Sequence, residues 1–217
     1  PYDVAIDPQG NVWVTNSTEG GTISEFAPSG AASPGSPYSA MGNFPSGLAI
    51  SATPSLWALT QFGVAQFDLT GSLINGPFSG LNVPLGIALH PDGNVWVANT
   101  NAGNVVVLAP NGSPVSGSPF SAGGLITPVA LAVDSAGKVW VTDRSEGTIA
   151  EFAANGTVLS PATGFTGAGL SGALDQSVAI DASGNLWIAN HAASSLSEFL
   201  GLAAPVKLPR IGPPTAP

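Results

Sequence analysis

The stretch GNVWVTN at residues 10–16 recurs along the chain with small changes. It returns as GNVWVAN at 93–99, GKVWVTD at 137–143 and GNLWIAN at 184–190, and a more diverged copy, PSLWALT, occupies 54–60. Each copy contains one of the five tryptophans, at positions 13, 57, 96, 140 and 187. A period of about 40 to 50 residues is typical of the four-stranded blade of a β-propeller.

Each copy reads as a meander of short strands joined by turns. A first strand at 3–6 (DVAI) leads through the turn DPQG into a second strand at 11–16, and a third follows at 21–26 (GTISEF). Asp, Pro and Gly in DPQG each favour a tight turn. We predict the other third strands at 63–67, 104–108, 147–152 and 195–199, and looser fourth segments at 35–39, 76–79 and 117–121.

The second strand distinguishes a propeller from a sandwich. Val12 and Val14 point to one side of the strand and Trp13 points to the other, so both faces are apolar. A sandwich strand has one face in water and alternates polar with apolar residues. Neighbouring blades cover both faces of an inner propeller strand. We therefore predict an all-β propeller with every one of the five tryptophans buried.

The repeat boundaries predict one domain over 1–217, with blades at about 1–44, 45–83, 84–127, 128–174 and 175–217. Two arrangements remain open at this point. Five whole blades close into a ring, with the tail GLAAPVKLPR (201–210) as the last outer strand, or the five repeats belong to a larger propeller.

The composition excludes several classes of function. Only 8% of the residues are charged, and the net charge is −9 with four Lys and Arg in the whole chain. Nucleic-acid binding requires cations that neutralise phosphates, so we predict none. No apolar run approaches the roughly 18 residues of a membrane span. Twenty-eight glycines and 20 prolines are explained as turn residues between short strands.

The repeat resembles a known family. The pattern P-x-x-[VL]-A-[IV]-D-x-x-G-N-V-W-V-[TA]-[ND] is similar to the NHL repeat, and I-[ST]-E-F together with L-W resembles the streptogramin B lyase-like propellers. The ending EFLGLAAPV (198–206) is similar to the ends of secreted bacterial NHL-repeat proteins. The resemblance implies a propeller, in a family whose members include lyases, lactonases and interaction modules. Streptogramin lyase-like repeats usually carry Glu three residues after the Trp, and no copy here does.

Ionisable residues concentrate at one predicted end of the propeller. His191 follows the last tryptophan copy, Asp175 replaces a proline at the start of the same copy, and Asp143 with Arg144 occupies the equivalent loop one copy earlier. A histidine beside a carboxylate can act as a general base or hold a metal. His191, Asp175 and Asp143 are therefore the candidate catalytic residues, and Arg144 is a candidate for binding an anionic group.

A column of short polar residues lies three positions after each tryptophan. In three copies it is an asparagine, which makes Asn16, Asn99 and Asn190 candidate ligand-binding residues. The alternative is structural, since a short amide at a strand end caps the backbone of the following loop.

Three hypotheses of function follow. The first is a secreted or cell-surface propeller, bacterial in style, that serves as a binding or scaffold module for a protein, peptide or small molecule. The second is a metal-assisted lyase or hydrolase with a divalent ion at the channel mouth. The third is a structural subunit of an extracellular assembly that associates with itself.

Overall fold

The computed structural model describes residues 1–121, 123–170 and 177–206. It contains five separate antiparallel sheets and one short 3-10 helix at Thr100–Ala102. The sheets consist of β1 (Val4–Ile6), β2 (Val12–Asn16), β3 (Thr22–Phe26) and β4 (Tyr38–Ser39); β5 (Leu48–Ile50), β6 (Ser55–Thr60), β7 (Gly63–Asp68) and β8 (Leu73–Ser79); β9 (Gly86–Leu89), β10 (Val95–Asn99) and β11 (Asn104–Leu108); β12 (Pro128–Val133), β13 (Val139–Asp143) and β14 (Thr148–Phe152); and β15 (Ser177–Ile180), β16 (Leu186–Asn190) and β17 (Ser195–Phe199).

Each sheet is a meander in chain order, as the repeat predicts. The first strands β1, β5, β9, β12 and β15 contact one another in sequence, which places them around a common axis. This is the architecture of a β-propeller, and the predicted fold class is confirmed. We number the five sheets as blades 1 to 5.

The fourth strand is less regular than the sequence predicts. Blades 1 and 2 have a fourth strand, β4 and β8, whereas in blades 3 and 4 isolated bridges take its place. Phe120 bridges to Val105 in blade 3, and Phe165 bridges to Ile149 in blade 4. The outer strand of blade 5 was predicted at 201–210; residues 201–206 form no strand, and 207–210 lie outside the described residues.

Four apolar clusters form the core, one between each pair of successive blades. In each cluster the tryptophan of one blade packs against the second strand of the next. Trp96, for example, lies in one cluster with Val139 and Val141 of blade 4. The two-sided second strand predicted from the sequence is therefore fully buried in β6, β10 and β13, the three inner blades.

The prediction that all five tryptophans are buried is wrong for Trp187. Four of them are at most 1% exposed, but Trp187 is 36% exposed. The physical reason is that Trp187 belongs to the last blade, and no following blade among the described residues covers it. At the other end of the row of blades, Val4 and Ile6 of blade 1 are exposed.

A second contact joins neighbouring blades near the outer edge. Aromatic rings from the fourth segment of one blade lie against a turn glycine of the next: Tyr38 on Gly71, Phe78 on Gly112 and Phe120 on Gly156. The same aromatic residues stack on the tryptophan of their own blade, as Phe120 does on Trp96 with ring centroids 6.1 Å apart. The glycines leave room for the rings.

Candidate functional site

The repeated aspartates of the first turn are structural. In blade 1, Asp7 Oδ1 accepts hydrogen bonds from the backbone N–H of Gln9 and Asn11, and Oδ2 accepts from the indole N–H of Trp13 at 3.1 Å. Asp134 and Asp181 hold their turns and their tryptophans in the same way. Burial alone raises the pKa of Asp7, but the hydrogen bonds, led by that of Trp13, bring this pKa below its usual value.

His90 occupies the same column in blade 3. Its Nε2 lies 2.9 Å from the carbonyl oxygen of Gly137 in blade 4, and its Nδ1 faces Asp92. His90 replaces the aspartate only in part. It does not accept a hydrogen bond from the tryptophan, so the buried indole nitrogen of Trp96 has no hydrogen-bond partner. The residue bonds to its own turn and also bridges two blades.

A cavity of about 440 Å³ lies where the first strands begin, at the channel mouth. Residues of β9, β12 and β15 line it together with Tyr2 and Asp3. Both carboxylate oxygens of Asp3 are used, since Oδ1 accepts from the backbone N–H of Val4 and Oδ2 from that of Leu48. Apart from Tyr2, Asp3 and Ser177, the described residues that line this cavity have apolar side chains or are glycine.

The structure does not join His191 to Asp143. Asp143 is fully buried and accepts four backbone hydrogen bonds: Oδ2 from Ile126 and Thr127, each at 2.6 Å, and Oδ1 from Ser145 and Glu146. Its role is to hold the loop before β12 against the loop after β13.

His191 itself is exposed, and its ring makes no hydrogen bond or ion pair within the described part of the chain. It lines a shallow cavity of about 490 Å³ with Asn190 and Leu196, on the uncovered side of blade 5. Asp175, the other candidate carboxylate, lies outside the described residues. Arg144 is half-buried in the loop after β13, and its backbone N–H donates to Thr127.

The three candidate asparagines make cross-strand hydrogen bonds within their own blades. The Asn16 amide donates to the hydroxyls of Thr22 and Ser24, and the Asn190 amide donates to those of Ser195 and Ser197. Asn99 donates to the side chain of its partner across the ladder, Asn104. One acceptor is left over, because Asn190 Oδ1 is buried without a partner.

Two features escaped the sequence-based reasoning. One is that each terminal blade keeps one uncovered side. The only sign of this in the sequence is that five repeats are compatible either with a closed ring or with part of a larger propeller. The other is a pair of buried hydroxyls without partners, Thr148 and Ser160 in blade 4. The sign of this pair in the sequence is Asp143, because the position three residues after the tryptophan is Asn or Thr in the other four copies.

Metal-binding and membrane-spanning features were also sought in the described ranges. There, no three His, Cys, Asp or Glu side chains come together in a way that would hold a metal ion. No helix within 1–121, 123–170 and 177–206 has the length and hydropathy of a membrane span.

Comparison with solved structures shows the fold. Virginiamycin B lyase from Staphylococcus aureus superposes with a TM-score of 0.72 at 17% identity, over 92% of this chain and 69% of the lyase. A gluconolactonase from Xanthomonas campestris has a TM-score of 0.58 at 19% identity, over 85% and 67%. The extracellular domain of a protein described as a hybrid two-component system from B. thetaiotaomicron has a TM-score of 0.65 at 21% identity, over 87% and 26%.

The resemblance to streptogramin B lyase-like propellers is thus confirmed at the level of the fold. A scan of protein-family models gives no match, and neither does a search of curated proteins. One propeller fold supports many chemistries, so these similarities leave the activity to be argued from the residues.

Proposed function

We propose that this chain is a binding and scaffold module, an NHL-like propeller that associates through the uncovered sides of its terminal blades. The observation that carries the proposal is one column of the repeat. Leu196 of blade 5 is 68% exposed, whereas its counterparts Ile23, Val64, Val105 and Ile149 are all 0% exposed. An aliphatic residue at the same place is core in four blades and surface in the fifth.

The uncovered side of blade 5 presents apolar side chains beside one carboxylate, Glu198, which is exposed and stands opposite Trp187 in the ladder. Leu196 and Trp187 lie on it, and Leu200, 78% exposed, follows directly after β17. Exposed apolar groups that are contiguous mark interaction sites more often than isolated ones do. The four internal interfaces show what fits such a surface, namely the second strand of another blade.

Blade 1 presents that complementary surface. Its second strand is half-buried at Val12 and Val14, whose counterparts in every later blade are fully buried. Gly30 in its second turn has no heavy atom near the space where Gly71, Gly112 and Gly156 each receive an aromatic ring. We propose a second copy of the chain as the occupant of these surfaces, blade 5 against blade 1; in a larger propeller, a further blade takes the same place.

Such a contact joins two different surfaces, so it is heterologous and builds rings or open chains of copies. A secreted or cell-surface location is consistent with the composition and with the extracellular propeller domains among the structural neighbours.

Size-exclusion chromatography with light scattering tests the proposal. The wild-type chain should increase in mass with concentration over the micromolar range, and Leu196→Asp should remain monomeric. Phe62→Asp is the control, because Phe62 is 57% exposed at the loop between β6 and β7, away from both terminal surfaces. A wild-type chain that stays monomeric throughout, or a Phe62→Asp variant that dissociates equally, would contradict self-association.

The second candidate function is a metal-assisted lyase or hydrolase. It is favoured by the similarity to virginiamycin B lyase, for which a structure of a catalytically inactive variant with quinupristin is known. Two observations weigh against it: within 1–121, 123–170 and 177–206 no carboxylate lies against His191, and Asp143 is occupied by backbone N–H groups.

Incubation with quinupristin and either Mg²⁺ or Mn²⁺, followed by mass spectrometry, decides between the two. We expect intact quinupristin. Turnover that His191→Ala abolishes would establish the enzyme instead, with His191 as its acid–base group.

A further inference from the structure

His90, which replaces the repeated aspartate in the first turn of blade 3, lies in the contact with blade 4. Its side chain is 7% exposed. Nε2 lies 2.9 Å from the carbonyl oxygen of Gly137 in the corresponding turn of blade 4. Nδ1 lies 2.8 Å from Oδ1 of Asp92 in its own turn. Both ring nitrogens of this buried histidine therefore face oxygen atoms.

The carboxylate of Asp92 is held in this position by a third residue. Its Oδ1 accepts a hydrogen bond from the backbone N–H of Asn94 at 2.8 Å, and its Oδ2 accepts from the side-chain amide of Asn94 at 2.9 Å. In blade 1 the same two bonds run from Asn11 to Asp7. Asp92 thus takes over part of the acceptor role that Asp7 has in blade 1, and His90 is available for a contact with blade 4.

The number of protons on the ring decides whether both contacts of His90 are favourable. A neutral imidazole has one N–H, so it donates either to Gly137 or to Asp92, and its other nitrogen then presents a lone pair to an oxygen atom. With the proton on Nε2, Nδ1 accepts from the backbone N–H of Asp92 at 3.2 Å but still lies against the carboxylate. An imidazolium has two N–H groups and donates to both oxygens.

The charged groups of the facing turn in blade 4 are engaged elsewhere. The carboxylate of Asp134 accepts hydrogen bonds from its own tryptophan and from the segment after blade 5. The ammonium group of Lys138 pairs with Glu151 at 2.8 Å. Among the described residues, Asp92 is therefore the charged group that faces the ring of His90.

We propose that His90 is a proton-operated clamp between blades 3 and 4. Protonation adds a charge-assisted hydrogen bond from Nδ1 to the carboxylate of Asp92, while the bond from Nε2 to Gly137 holds the ring against blade 4. Histidine is the side chain that gains a proton as the pH falls from about 8 to 5. The added bond exists only in the protonated form, so its stabilisation is complete at the acid end of this range and is lost as the pH rises.

Urea denaturation between pH 8 and pH 5 tests the clamp with the variant His90→Asn. Asparagine also forms tight turns and has no titratable proton, so this variant should fold without the clamp. The folding equilibrium constant of the wild type, divided by that of His90→Asn, should rise about tenfold as the pH falls across this range. Asp92→Asn removes the charged acceptor and should reduce the rise. A ratio that stays constant or falls would overturn the inference.

His191 is the matched control, because it is the other histidine of the chain and is exposed. His191→Ala should keep the pH profile of the wild type, and an equal change of profile in both histidine variants would count against the clamp. The contact lies away from the uncovered sides of the terminal blades, so its failure would leave the self-association proposal standing.

The ring nitrogens of the wild-type protein provide a readout that needs no substitution at the blade contact. In ¹⁵N spectra assigned with His191→Ala, His90 should keep both ring protons at a pH where His191 has lost one. Loss of the His90 proton at the same pH as that of His191, or at a lower one, would overturn the inference.

Discussion

The indole N–H of Trp140 donates a hydrogen bond to Oδ2 of Asp134 at 3.2 Å, across six residues of chain and one tight turn. The same carboxylate oxygen accepts from the backbone N–H of Ala204, which belongs to the segment after blade 5. One buried aspartate thus holds its own turn, its own tryptophan and the neighbouring blade. This relationship explains why the repeat contains Asp and Trp at a constant separation in three of its five copies.

Replacement of this aspartate by asparagine should destabilise the protein. Asp134→Asn keeps one oxygen for the turn but points an amide N–H₂ at the two donors, Trp140 and Ala204. The free energy of unfolding should fall by about 1 to 3 kcal/mol, the usual result of leaving buried donors unpaired. Urea denaturation followed by tryptophan fluorescence measures it, and the exposed change Glu19→Gln should have little effect.

The contact between Phe78 and Gly112 gives a second prediction. Gly112 and Gly30 occupy the same turn position with φ of +80° and +84°, so alanine strains both backbones equally. Only Gly112 faces an aromatic ring, and a methyl group there would overlap Phe78.

Overpacking adds about 1 to 3 kcal/mol to that strain, so Gly112→Ala should destabilise more than Gly30→Ala by this difference. Equal losses of stability in chemical denaturation would show that the ring moves aside freely.

Trp96 and Trp187 form a third matched pair. Trp96 is 0% exposed between two blades, while Trp187 is 36% exposed on the uncovered side of blade 5. Trp96→Ala should reduce the free energy of unfolding by about 3 to 5 kcal/mol, as a large-to-small change in a core does. Trp187→Ala should destabilise the monomer by less than half as much. A comparable loss at both positions, measured by calorimetry at low concentration, would mean that Trp187 is covered in solution.

Acid should weaken the first turn of blade 5. The backbone N–H of Asn185, followed by the indole of Trp187, lowers the pKa of Asp181 from 3.8 to about 2. Because the folded pKa lies below the unfolded one, the stabilisation is complete above about pH 4 and is lost as the pH falls towards 2. Stability measured between pH 5 and 2 should therefore decline, and Asp181→Asn should decline less steeply. A variant with the same slope as the wild type would show that other carboxylates dominate.

Local patterns were sufficient for the strands and for the fold class. The predicted third strand at 195–199 coincides with β17, and that at 104–108 coincides with β11, because hydrophobic periodicity and turn residues act over a few neighbours. The apolar character of both faces of the second strand correctly indicated blades packed on both sides.

Other features depend on residues that are distant in the chain. The sequence shows Trp187 and Trp96 in equivalent contexts, yet their burial differs because only a neighbouring blade can cover a tryptophan. In the same way, Asp143 looked like an acid available for catalysis. The fold turns it towards four backbone N–H groups, two of which come from the loop before β12.

The sequence by itself thus determined the repeat, the meander of each blade and the residues able to form a core, since these follow from local geometry and from the alternation of side chains along a strand. Only the tertiary structure decided which of those residues are covered, which carboxylates remain free, and that the hydroxyls of Thr148 and Ser160 are buried without partners. The physical reason is that burial and hydrogen-bond satisfaction are properties of contacts between blades, and a blade's own residues do not specify its neighbour.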